Sequence, residues 1–308
     1  MGRYTIRRLL QLIPVLLGTT FLINFMVWQL PGDPFAGRCG QRPCPESYIT
    51  MMREQFGLDQ PMLVQYWNFL KNMLTGDLGV DFKQVSVASQ LADAWPITIR
   101  LAILAVTIEA CIGITAGVLS GLKRGGFLDN SVTISTLFLL SLPTFVTGYL
   151  LQWLLGMRFG VIKPTVSDGA PMAELIVPAI VLASLNMAFT ARLTRTSIVE
   201  NRRADYVRTA IAKGLTNRRV VSVHLLRNSL IPAITFIGTE VGSMMSGAII
   251  TEGIFNIHGV GGLLWRAILG QDYTIVVPIA SLLVLVYLLT NLIVDLLYGV
   301  LDPRIRYE

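Results

Sequence analysis

Apolar runs long enough to cross a lipid bilayer constrain this chain more than any other feature. A helix needs about 20 largely apolar residues to span the hydrocarbon core. Six segments meet or approach that length, at residues 9–30, 101–122, 134–157, 175–191, 230–251 and 275–301. The fourth is the shortest, and Pro178 interrupts it. Inside a bilayer every backbone N–H and C=O must find a partner within the protein, so these runs are expected to be helices. Composition agrees: 53% of the residues are hydrophobic and 14% are charged, where a soluble domain carries about 25% charged residues. The expected architecture is an all-α polytopic membrane protein with six transmembrane helices. The amino-terminal run is too long for a signal-peptide core and lacks a small-residue cleavage site, so it reads as a retained first span.

Basic residues orient the bundle, because cytoplasmic segments retain Lys and Arg. Arg3, Arg7 and Arg8 precede the first run, Lys123 and Arg124 follow the second, and Arg304 and Arg306 end the chain. The stretch between runs four and five, 192–229, adds Arg192, Arg195, Arg202, Arg203, Arg208, Lys213, Arg218, Arg219 and Arg227. Both termini are therefore expected in the cytoplasm, in the inner or plasma membrane. The net charge of +6 sits at helix ends and in one loop, which argues against nucleic acid as a partner. The opposite side carries one large segment, 31–95, expected to form an extracytoplasmic loop domain. Tyr48, Met51, Met52, Gln55 and Phe56, then Met62, Tyr66, Phe69, Leu70 and Met73, recur there at helical spacing. The expected division is 1–30 as first span, 31–95 as loop domain, 96–301 as membrane core, and 302–308 as a cytoplasmic tail.

Cys39 and Cys44 lie close together in that outer segment, in an Arg-Cys-Gly-Gln-Arg-Pro-Cys-Pro run. An oxidising compartment and this spacing permit a loop-closing disulfide, with free or separately buried thiols as the alternative. Cys111 reads as a small core residue, and no metal-ligand spacing occurs.

The most informative stretch is Ala204-Asp205-Tyr206-Val207-Arg208-Thr209-Ala210-Ile211-Ala212-Lys213-Gly214-Leu215. Asp205 suits an N-cap, and Val207, Ala210, Ile211 and Gly214 fall on one helical face. Lys213 complements the dipole in the last turn, and Gly214 suits a left-handed end. A second helix is expected from about Asn217 through Val220, Val221, Val223 and Leu226. By spacing alone this is either a small-residue docking helix or a basic loop lying against lipid headgroups.

The stretch resembles the EAA loop of ABC importer permeases, and in particular that of the dipeptide, oligopeptide and nickel permeases. Arg208-Thr209-Ala210 takes the Glu-Ala-Ala place, Gly214 the place of the pattern's glycine, and His224-Leu225-Leu226-Arg227 the end of the loop. Arg208 replaces the Glu and Arg227 the terminal Pro. Tyr4 with Arg7-Arg8-Leu9-Leu10, Pro31-Gly32-Asp33-Pro34, Gly57-Leu58-Asp59-Gln60-Pro61, Gly76-Asp77-Leu78-Gly79, Pro143-Thr144-Phe145, Pro278-Ile279 and Asp302-Pro303-Arg304 extend the resemblance along nearly the whole chain. The long outer loop is similar to that of the first permease in such pairs. The resemblance implies a type I importer transmembrane domain and half of a pathway for peptides delivered by an extracytoplasmic substrate-binding protein. It implies a second homologous permease and one or two kinds of ATPase subunit, with ATP and Mg bound there. No Gly-x-x-x-x-Gly-Lys-Ser/Thr loop occurs in this chain, so no catalytic residue or cofactor is expected in it. Asp205, Tyr206, Val207, Arg208, Thr209, Ala210, Lys213, Gly214 and Leu215 are the expected ATPase-coupling residues. Nickel chelates, haem or another small solute are alternative cargoes, and a proton-coupled secondary transporter is the alternative machine.

Three acids interrupt the apolar runs: Glu109, Glu240 and Asp295. Facing lipid, each would cost roughly 2.5–3.5 kcal/mol on insertion scales, so they should face protein or water. Glu240, Ser243 and Ser246 could line the pathway or bond neighbouring helices. Gly113, Gly117 and Gly121, four residues apart, predict close helix packing.

Overall fold

The computed structural model describes residues 2–28 and 44–301. Among the described residues twelve helices follow one another: α1 Gly2–Trp28, α2 Glu46–Gln55, α3 Met62–Thr75, α4 Val87–Leu122, α5 Phe127–Ser141, α6 Thr144–Arg158, α7 Met172–Asn201, α8 Asp205–Ala212, α9 Asn217–Ser229, α10 Ile231–Ile254, α11 Val260–Leu269 and α12 Tyr273–Leu301. Among the described residues no strand forms beyond one isolated bridge, Val80 to Ser86. Segments of α1, α4, α7 and α12 are each long and apolar enough to cross a membrane. The bent pairs α5–α6 and α9–α10 raise that number to six if each crosses as one broken span.

Several boundaries differ from those expected. The second apolar helix begins at Val87, not near 101, so the outer segment gives way to helix before 95. Asp81 makes this start: its Oδ1 accepts the backbone N–H groups of Lys83 and Val85, both at 2.8 Å, and the tight turn delivers the chain to Val87. The third run is not one helix. Pro143 pushes Leu142 out of the helical region to φ −100°, ψ 127°, and α5 and α6 meet at a 102° bend. Pro178, by contrast, sits inside a continuous 30-residue α7. It is the seventh residue of the helix, and the chain continues helically past it to Asn201. Arg192 and Arg195 consequently lie on α7 and not in a loop. Pro232, at the start of α10, accompanies a 43° bend from α9.

The chain forms two compact units, residues 98–257 and residues 1–97 with 258–308. In the first, α7 is the central element, packed by α4, α5, α6, α9 and α10. Its seam with α4 uses the glycine repeat. A Cβ on Gly113 would lie 3.0 Å from Thr190, one on Gly117 2.5 Å from the Ala191 carbonyl oxygen, and one on Gly121 2.9 Å from Ile198. Glycine every fourth residue on one helix thus meets Thr190, Thr194 and Ile198, also four apart, on the other. The absence of side chains lets the backbones touch, which is how membrane helices gain packing energy without a hydrophobic driving force between them.

In the second unit α1 packs beside α12, and α11 also packs on α12. α3 leans on α1: the Tyr66 hydroxyl donates to the Leu17 carbonyl at 2.8 Å and lies 3.0 Å from Thr20 Oγ1. The faces expected for the outer helices hold in part. Met62, Tyr66, Phe69, Leu70 and Met73 are partly covered and Met52 is buried, whereas Met51 is exposed.

Replacing Gly117 by Ala should force α4 and α7 apart and lower stability by about 2 kcal/mol, as overpacking does. Gly18→Ala in α1, where a Cβ meets nothing within 4 Å, should be neutral or slightly stabilising. Thermal unfolding of the two variants in detergent checks the contrast.

Candidate functional site

The stretch 204–215 forms a closed, self-capped helical knob. Asp205 is not the N-cap: Ala204 holds that place with extended dihedrals, and Asp205 is the first helical residue, where its charge complements the helix dipole. The Thr209 hydroxyl bonds back to the Asp205 carbonyl at 2.8 Å. The far end closes as a Schellman turn. Gly214 adopts φ +74°, its N–H donates to the Ile211 carbonyl, and the Leu215 N–H donates to that of Ala210. A Cβ on Gly214 would meet nothing within 4 Å, so its backbone conformation, not space, calls for glycine.

The knob's small apolar face turns inward, against the chain's own helices. Val207 and Ala210 are buried with Ile198 of α7 and Val220 and Leu225 of α9, and Leu215 packs against the same cluster. Ile211, assigned to that face by spacing, is instead 61% exposed. The outer surface comprises Asp205, Tyr206, Arg208, Thr209, Ile211, Ala212, Lys213 and Gly214. Arg208 reaches Asp205 at 3.7 Å, and the Tyr206 hydroxyl donates to Asn201 Oδ1 at 2.9 Å. α9 begins at Asn217 as expected, with a π-helical turn over Val220–Leu225 that seats Val220 and Leu225 against α8.

A polar clasp that sequence reasoning missed anchors the platform beneath the knob. Asp129, at the start of α5, is buried and receives both Nε and Nη2 of Arg195, the latter at 2.8 Å. It also accepts the Ser120 hydroxyl and, at 2.8 Å, the Gly125 backbone N–H. One carboxylate thus joins the end of α4, the following turn and α7. A bidentate Arg–carboxylate pair fixes direction as well as distance. Nearby, Arg202 donates to the Leu122 carbonyl at 2.8 Å.

Two of the three expected intramembrane acids meet α7 on successive turns. Glu109 opens a π-helical turn, Glu109–Gly113, and is fully buried. The Thr190 hydroxyl donates to its Oε1 at 2.7 Å, while Oε2 has no partner among the described residues. Glu240 of α10 receives the Asn186 amide at 3.2 Å and the Ser243 hydroxyl. Asn186 and Thr190 were not singled out by sequence; their four-residue spacing beneath two acids is the signal that could have found them. The side chains of Ser246 and Asp295 lie outside the described residues, as do Cys39 and all of 302–308. Cys44 is buried. A third buried acid, Glu252, accepts the Thr98 hydroxyl at 2.8 Å. No group of His, Cys, Asp and Glu suited to a metal ion occurs among the described residues.

Residues 113–307 match the family model of the binding-protein-dependent transport system inner membrane component, and residues 1–102 match that family's amino-terminal model. The chain belongs to this family. The chain is similar to the dipeptide transport system permease protein DppB of Escherichia coli K12, 35% identical over 339 residues with both chains fully covered. The glutathione transport system permease protein GsiC of Pectobacterium atrosepticum is 36% identical over 309 residues, again at full coverage. The di/tripeptide permease DppB of Pseudomonas aeruginosa is 35% identical over 329 residues, covering 98% of each chain. Among solved structures, an amino acid ABC transporter crystallised with histidines shares the fold at a TM-score of 0.54 and 17% identity, covering 70% of this chain and 94% of its own. For this binding-protein-dependent permease, the first matched stretch ends at 102 and the second begins at 113, both within α4.

Asp129→Ala would strand the Arg195 guanidinium. The expected loss is on the order of 3 kcal/mol, the low end for breaking a buried ion pair, because Arg195 keeps 29% exposure. Asp129→Asn combined with Arg195→Gln should recover part of it. Unfolding midpoints of the purified variants test both.

Proposed function

We propose that this chain is the permease subunit of an ATP-driven importer and forms half of a pathway for short peptides handed over by an extracytoplasmic binding protein. Full-length identity to permeases named for dipeptides, di/tripeptides and glutathione supports the cargo class. The observation that carries the mechanical reading is the knob itself: an exposed, self-capped helix whose inner face is welded to α7 and α9.

On this reading the chain crosses the membrane six times, with α5–α6 and α9–α10 as broken spans and both termini in the cytoplasm. The segment between α1 and α4 faces the outside, where Cys39 and Cys44 would close a disulfide. A second permease completes the pathway. Separate ATPase subunits bind ATP and Mg, and the permease performs no chemistry of its own. The ATPase contact is the outer surface of α8: Tyr206, Arg208, Thr209, Lys213 and the glycine turn at Gly214. Val207, Ala210 and Leu215 act from behind, as the joint between knob and bundle.

The mechanism follows from stiffness. When ATP draws the ATPases together, a groove holding α8 moves it as a rigid body. The packed cluster of Val207, Ala210, Ile198, Val220 and Leu225 cannot stretch, because close-packed interiors transmit displacement. α7 and α9 therefore move with it, and two packings of the bundle exchange. Glu240 with Ser243, and Ser246 beyond it, would present polar groups to the passing peptide, whereas Glu109 holds α4 to α7.

Cysteine crosslinking in the assembled transporter tests this reading. Arg208→Cys should be captured by an ATPase subunit, and Ala210→Cys should not. Gly214→Val should reduce peptide uptake at least tenfold while the chain still inserts, because the left-handed turn is lost. Peptide uptake that survives ATP depletion and stops when the proton gradient is collapsed would overturn it in favour of a secondary transporter.

A further inference from the structure

The second helix of the outer segment, α3, carries an apolar stripe that the fold leaves uncovered. Trp67 is 68% exposed, Leu63 69% and Leu74 88%. They occupy one face at spacings of four and seven residues, beside the partly covered Met62, Tyr66, Leu70 and Met73 that face inward. The opposite side of the helix is polar. Gln65, Asn68, Lys71 and Asn72 help to line a cavity of about 860 Å³ that also touches Asn24 of α1 and Thr274 of α12.

Depth identifies what covers the stripe. Tyr66 bonds Leu17 and Thr20 of α1, and its ring meets Phe21 edge-on at 5.3 Å. The apolar segment of α1 runs from Ile6 to Val27. Thr20 and Leu17 therefore lie seven and ten residues inside its carboxyl end, about 10–15 Å along the axis at 1.5 Å per residue. The hydrocarbon core is about 30 Å thick, so Tyr66 lies at the depth of one leaflet's acyl chains. Leu63 and Trp67 are within one turn of Tyr66. The neighbouring α1 is likewise exposed and apolar along its length, at Leu10, Ile13, Leu17 and Met26. A binding protein approaching through water does not reach that depth.

We infer that α3 is a membrane-embedded wall: its Leu63–Trp67–Leu74 face contacts the acyl chains of the outer leaflet, and its Gln65–Asn68–Asn72 face bounds a wet vestibule. The segment between α1 and α4 is then not wholly a water-exposed domain. This inference rests on α1 spanning the membrane, as proposed above. It accounts for both faces of α3, since an amphipathic helix at a lipid boundary requires one apolar and one wet side.

A fluorescent amino acid placed at position 67 by stop-codon suppression tests this in the assembled transporter, reconstituted in phosphatidylcholine vesicles. Lipids with a nitroxide on the acyl chain should quench it at least twofold, while aqueous iodide should barely affect it. A matched probe at position 13 of α1 controls the premise. Quenching by lipid at 13 but by iodide at 67 overturns the inference and leaves the spanning reading intact. Quenching by neither agent at 67 means that protein covers the face, which also overturns it. Iodide quenching at both positions overturns the spanning reading itself.

Discussion

The backbone-to-backbone seam between α4 and α7 is the constraint on which the larger unit depends. At Gly117 the space available is smaller than a methyl group, since a Cβ there would come within 2.5 Å of the Ala191 carbonyl. In a bilayer, lipid tails compete with apolar side chains on equal terms, so close approach and shape decide which helices pair. The seam sets the register of α4 against α7. That register places Glu109 opposite Thr190 at one level and brings the end of α4, with Ser120, to Asp129 and Arg195 at another. A shift of one turn, about 5.4 Å, would part Glu109 from Thr190 and pull Ser120 away from the Asp129–Arg195 pair.

α7 thereby becomes a rod with different duties along its length. Its carboxyl end, at Ile198, belongs to the cluster that seats α8. Twelve residues earlier, about 18 Å along a helix, Asn186 holds Glu240 of α10. Pro178 lies beyond that and does not interrupt the helix. A continuous helix carries a displacement without the loss that a loop would introduce. On the proposed reading, motion of the knob reaches the polar groups of α10 through one element. Asp129 fits this role: the bidentate contact resists rotation of α7 about its axis as well as sliding along it.

Much of this was readable in the residues, and the failures have physical causes. The apolar runs located the helices, because backbone satisfaction in lipid leaves few alternatives. The glycine repeat announced a close seam, and Gly214 announced a left-handed turn, since each depends on the local absence of a side chain. Two prolines in apparently similar runs went opposite ways. Pro178 interrupts its apolar run but not its helix, while Pro143, inside another run, divides two helices. Hydropathy sums over a window and carries no information about dihedral angles, so it cannot separate these outcomes. Glu252 and Asp129 lie just outside the apolar runs, where hydropathy marks no buried acid. Their partners, Thr98 and Arg195, are 154 and 66 positions away, a separation that only the fold brings to hydrogen-bond distance.

The orientation of α8 is the most instructive of these reversals. Spacing identified Val207 and Ala210 as one face but could not say which way it points. A small-residue face can admit a partner protein, or it can admit the chain's own neighbouring helix. The second outcome follows once α9 is seen to turn back against α8, because Val220 and Leu225 would otherwise be left in water. Burying them there stabilises the knob before any partner arrives, and each fully buried aliphatic side chain contributes about 1.5–3 kcal/mol. A coupling element must not unfold when its partner pulls. Placing the apolar residues in the joint and leaving Arg208, Thr209 and Lys213 outside meets that requirement.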